Sequence, residues 1–133
     1  MISPLVIMLL MTSNLQATAI PPLPPCPERP NCVSSQTMGS RHIAPLESTG
    51  DARHTFEKLR TLLAGRPDTK IIAANDATLQ VEFRTRLGFV DDGMFVLDSA
   101  NDLIHVRSAA RLGYWDLGKN RSRIEGIRRA VKE

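Results

Sequence analysis

"TKIIAANDATLQVEFRTRLGFVDDGMFVLDSANDLIHVRSA" (residues 69–109) decides the fold. Leu79, Val81 and Phe83 alternate with Gln80, Glu82 and Arg84, and Ile104 and Val106 alternate with His105 and Arg107. Side chains two apart share one face of a strand, so the stretch reads as an antiparallel sheet with one buried and one polar side. Asn75-Asp76 and the run Ser99 to Asp102 supply turn chemistry between the strands. Four strands follow, at residues 69–74, 78–86, 94–98 and 103–109. Gly93 is expected to interrupt the third with a bulge.

The flanks change period. In residues 51–64, Ala52, Phe56, Leu59 and Leu63 recur at helical spacing, with Ser48, Thr49 or Asp51 as caps and Gly65 and Pro67 as the stop. His54 falls on the wet side of that helix. Residues 119–131 carry a second apolar stripe, Ile124, Ile127 and Val131, with Asp116 or Asn120 as cap. The expected architecture is α+β: an antiparallel sheet of about four strands with two helices packed on one face, in the order helix-strand-strand-strand-strand-helix.

Residues 1–19 contain no charged side chain, hold an apolar run from Leu5 to Met11, and end in Ala17, Thr18 and Ala19. That is the pattern of a cleavable export signal. Thr12, Ser13, Asn14 and Gln16 close the run short of the roughly twenty apolar residues a membrane span needs. Residues 20–25 then read as a proline-rich spacer, and residues 26–133 as a single small domain. For an exported chain the compartment is oxidising, periplasmic in a bacterium, and a Cys26–Cys32 disulfide is the default. A zinc site would need two further ligands that no local His or Cys supplies, so neither a metal nor a cofactor is expected.

Charge is unevenly spread. Residues 107–133 hold eight Lys or Arg against three Asp or Glu, while residues 1–106 hold nine against eleven. Nucleic acid is not an expected partner, because export and the small number of aromatics, four Phe, one Tyr and one Trp, argue against base stacking. Membrane association is expected only through an uncleaved leader or weak lipid contact. Arg121, Arg128 and Arg129 read as surface and helix-end charge, which the helix dipole favours near the carboxyl end.

Two motifs carry a family resemblance. Cys26, Pro27, Pro30, Asn31, Cys32, Val33, Ser34 and Ser35 form "CPxxPNCVSS". Arg107, Ser108, Arg111, Gly113, Asp116, Gly118, Asn120, Arg123, Ile124 and Glu125 follow "RSxSRxGxxDxGxNxxRIE", and Gly88, Phe89, Asp91 and Asp92 follow a Gly-Phe and acidic segment between the two. In these residues the chain resembles the family called domain of unknown function 1499, from about residue 26 to 130. It departs at Met94, where a glutamate is usual, and at Ala110, where a serine is usual. The resemblance implies a small exported or lumenal domain and brings no activity with it. It also implies that Arg107, Arg111, Asp116, Asn120 and Arg123 act together.

Arginines this close repel unless carboxylates or an anion neutralise them, and Asp91, Asp92 and Asp116 are at hand. Two arrangements satisfy that requirement: a closed Arg–Asp network at the loop-to-helix junction, or a network with one fork open for a phosphate or carboxylate. His105 belongs to the same candidate set through its shared strand face with Arg107. Ser108 points the other way, which defeats a direct Ser108–His105 pair, and no catalytic residue is assigned. The expectation is a non-catalytic envelope domain binding a small anionic ligand or another envelope component. The alternative is a small enzyme with an Arg-lined pocket for a phosphate- or carboxylate-bearing substrate.

Overall fold

The computed structural model describes residues 19, 20 and 22–133. The leader read over residues 1–19 lies outside the described residues, Ala19 apart. The elements are β1 (Cys32–Ser34), a single 3-10 turn (Gly39–Arg41), β2 (Leu46–Glu47), α1 (Ala52–Ala64), β3 (Thr69–Ala74), β4 (Thr78–Arg84), β5 (Val90–Asp98), β6 (Leu103–Ala110) and α2 (Lys119–Lys132). The strands form one antiparallel sheet in the order β1-β6-β5-β4-β3, with β2 pairing the start of β6.

The class is α+β as expected, but the sheet has six strands rather than four. The two additions are three and two residues long, too short for alternation to show. They exist because the long strand β6 offers a free edge, against which Val33 pairs with Ser108 and Leu46 with Ile104. The bulge expected at Gly93 is absent: β5 pairs in unbroken register, Gly93 lying between Val81 and Ser108, and the irregularity falls in β3 between Ile71 and Ala73. Gly93 is required for space instead, since a Cβ there would come within 2.4 Å of the Phe83 ring.

Parity along the strands divides the sheet into two faces. Leu79, Val81, Phe83, Phe95, Leu97, Ile104 and Val106 point to the helices and join Phe56, Leu59 and Leu63 of α1 and Ile124, Ile127 and Val131 of α2 in one buried core. Burying a Leu, Ile or Phe side chain contributes about 1.5–3 kcal/mol each, so this face carries the stability of the domain. Asp51 caps α1 by accepting from the His54 amide at 2.7 Å. On the other face the chain before β1 is drawn in by the Cys26–Cys32 disulfide, and Leu23 is buried with its N–H donating to Gln36 Oε1 at 2.7 Å.

Two arginines read as surface charge are staples. Arg121 donates to the carbonyls of Ser40 and His42 at 2.9 and 3.0 Å, and Arg128 to those of Pro45 and Ala44 at 2.7 and 2.6 Å. The loop between β1 and α1 exposes carbonyls that no strand pairs, and these guanidinium forks satisfy them.

Candidate functional site

Asp91 and Asp92 are consecutive in β5, so they leave the sheet on opposite faces. Asp91 points towards the helices, where Arg123 of α2 donates to its Oδ2 at 2.7 Å. The same guanidinium reaches Asn120 Oδ1 at 2.9 Å and lies over the Phe83 ring, 4.6 Å from its centre. Ser108 of β6 donates to Asn120 Oδ1 at 2.6 Å, while Asn120 Nδ2 donates to Asp116 Oδ2 at 2.7 Å and to the Asn31 carbonyl at 3.2 Å. Asn31 Nδ2 in turn holds the Gly113 carbonyl at 2.6 Å. This chain of bonds ties the segment before β1, β5, β6, the loop 111–118 and α2 into one polar knot, in which Asn31 Oδ1 is buried without a partner.

The knot also occupies the start of α2. Asp116 accepts from the amides of Gly118 at 2.9 Å and Asn120 at 2.9 Å, so a carboxylate of the chain already sits where an incoming anion would bind.

Arg107, Arg111, His105 and Asp92 lie on the opposite face. Arg111 grips Asp92 with two bonds of 2.6 and 3.2 Å and approaches Glu82 at 3.7 Å. Hydrogen bonding to Asp92 raises the Arg111 pKa above its ordinary value. Arg107 donates to the Pro25 carbonyl at 3.1 Å, and its Nε is buried without a partner. Burial lowers its pKa, opposed by the charge of Asp92. The set expected to act together is therefore split by the sheet: Arg123, Asp91, Asn120 and Asp116 on the helix side, Arg107, Arg111, Asp92 and His105 on the other.

His105 makes a contact that residue order conceals. Its Nε2 is 3.0 Å from the buried Asp98 Oδ2 and its Nδ1 3.3 Å from Ser35 Oγ. Burial raises the Asp98 pKa, but hydrogen bonds from Asn101 and His105 outweigh it and hold the carboxyl below its ordinary value. A serine, histidine and aspartate in line resemble a nucleophile relay. Here the serine is a strand clamp: Ser35 Oγ accepts from the Val106 amide at 2.9 Å and the Ser35 amide donates to the Val106 carbonyl at 2.9 Å, continuing the β1–β6 pairing past Ser34.

Above the helix-side knot the surface changes character. The loops between β4 and β5 and between β6 and α2 enclose a cleft of about 560 Å³ lined by Leu87, Phe89, Leu112, Trp115 and Leu117, with Asp91 and Asp116 beneath and Lys119 at its edge. Among the described residues, six of the eight exposed large hydrophobics sit in these loops: Leu87, Phe89, Leu112, Tyr114, Trp115 and Leu117. Residue order gives little sign of this cleft beyond the sole Tyr and Trp, Tyr114 and Trp115, set between Gly113 and Gly118. Leu117 adopts a left-handed backbone, φ 58°, while 78 % of it is exposed.

Residues 22–131 match the family model described as Protein of unknown function (DUF1499). The chain belongs to this family. No curated protein and no solved structure matched it. The motifs through which it resembles DUF1499 proteins take on distinct tasks in the structure. Asn31, Asp91, Ser108, Asp116, Asn120 and Arg123 make the helix-side knot, while Cys26 and Cys32 form the disulfide. Met94 and Ala110, where this chain departs from the DUF1499 pattern, lie on opposite sheet faces; Ala110 lies on the knot's side and meets it through its amide, which donates to the Asn31 carbonyl at 2.9 Å.

Proposed function

We propose that this DUF1499 domain is an exported, non-catalytic binding module of the cell envelope, periplasmic in a bacterium. Its Arg/Asp/Asn motif builds the binding surface and leaves the contact with the partner to the cleft above it. The observation that carries this reading is the contrast at one end of the molecule. The guanidinium groups of Arg123 and Arg111 are committed to Asp91 and Asp92, whereas Leu87, Phe89, Leu112, Trp115 and Leu117 stand uncovered around a cleft. Small monomeric domains rarely expose a contiguous apolar patch without using it. The apolar leader-like segment and the disulfide support export. Among the described residues no helix is long and apolar enough to cross a membrane.

Trp115 is the single tryptophan of the chain and lines the cleft, so its fluorescence reports occupancy directly. Titration with a non-ionic alkyl glucoside below its micellisation concentration is expected to shift Trp115 emission to shorter wavelength and to saturate. Inorganic phosphate is expected to leave both that emission and the thermal midpoint unchanged. A midpoint that rises with phosphate, and that loses the rise in Arg111→Ala, would replace this reading with the open anion fork.

A further inference from the structure

The geometry points to an anionic lipid bilayer as the surface on which the loop end docks, an inference that rests on reading the cleft as the binding surface. Four features converge on it. The apolar residues sit at the tips of two neighbouring loops, where Leu87 and Leu117 are the most exposed, at 85 % and 78 %. Tyr114 and Trp115, both exposed, have the amphipathic rings that settle at the boundary between acyl chains and headgroups.

The charge around these tips is cationic. Arg86 and Lys119 make no ion pair with any described residue, whereas Asp91 is paired with Arg123 and Asp92 with Arg111, and the Asp116 carboxylate is held by the amides of Gly118 and Asn120. Long flexible cations around an apolar tip complement phosphate headgroups above an acyl layer. Leu117 adds the fourth feature. A leucine with positive φ is strained relative to glycine, and in the free protein its exposed side chain returns no packing. Insertion of that side chain into the acyl layer accounts for a leucine where glycine would cost less.

The test uses the full chain and reads Trp115 emission, because the apolar residues 5–11 can partition by themselves and sedimentation would not separate the two. Vesicles of phosphatidylglycerol are expected to shift the emission to shorter wavelength, and brominated acyl chains to quench it. Phosphatidylcholine vesicles should bind the loops on the order of tenfold more weakly, as two unpaired cations imply. Leu87→Ser with Leu117→Ser should weaken the phosphatidylglycerol response by at least about tenfold. Arg86→Gln with Lys119→Gln should weaken it in low salt and flatten its salt dependence.

Leu117→Gly should raise the thermal midpoint while weakening the response, which a merely misfolded variant could not do. The proposal is overturned if phosphatidylglycerol leaves the emission unchanged, if the two lipids act equally, or if the Leu87/Leu117 variant responds like the parent. It is also overturned if the shift grows with protein concentration in the absence of lipid, which would assign the tips to a second copy of the chain. An alkyl glucoside response without a vesicle response removes the bilayer and keeps the cleft; the loss of both removes the cleft reading itself.

Discussion

Asp91 and Asp92 are chain neighbours, each holding one arginine at 2.7 and 2.6 Å, yet the two pairs belong to different physical regimes. The Arg123–Asp91 side chains are 7 % and 5 % exposed, the Arg111–Asp92 side chains 49 % and 45 %. In the first pair both ions have left water, so each depends on the other, and Arg123 also on Asn120, to offset its desolvation. In the second, water solvates whatever the partner does not. Equal distances therefore describe unequal interactions, and burial separates a structural pin from surface charge.

The largest expected effect comes from breaking the buried pair. Arg123→Ala strands Asp91 in the interior and should cost about 3–5 kcal/mol in a denaturant titration. Arg123→Met combined with Asp91→Leu should restore most of that loss. A double variant as unstable as the single one would mean that the guanidinium acts mainly through Asn120 and Phe83. Gly93→Ala tests the same knot from its packing side. The added methyl meets the Phe83 ring on which Arg123 rests, and about 1–3 kcal/mol should be lost.

Asp98 sharpens the comparison, because it is a buried carboxylate on the face that holds the exposed pair. Its folded pKa is depressed, so its contribution is present above the unfolded value of about 3.9 and disappears as pH falls through the lower folded value. Asp98→Asn should lower stability near neutrality and flatten the acid limb of a stability–pH curve. An unchanged acid limb would show that Asn101 and His105 do not favour the charged form. The smallest effect is expected from Arg111→Ala, which should leave the thermal midpoint without resolvable change. A large drop there would erase the distinction between the two pairs.

Much of this partition was legible in the order of residues. Strand parity alone separates Ser108 from His105 and Asp91 from Asp92, because successive side chains leave a sheet on opposite faces. Both helices were legible too, since each has a long apolar stripe. What stayed hidden depends on partners distant in the chain. Asn31 reaches Gly113 across 82 positions, and Arg128 reaches Ala44 across 84, with no periodicity to announce either contact. The family resemblance implied one acting set because its motif residues are near along the chain, but the sheet passes between Arg111 and Arg123.

By itself the sequence determined the class of the fold, four of its six strands, both helices and the Cys26–Cys32 link, because alternation, helical period and a short cysteine loop are local patterns read over a few residues. Tertiary structure decided which carboxylate neutralises which arginine, and that β6 would recruit β1 and β2. It also gathered Leu87 and Phe89 with Leu112, Trp115 and Leu117 around one cleft. Those outcomes rest on burial and on pairing between distant segments, and neither quantity exists until the sheet has closed on its helices.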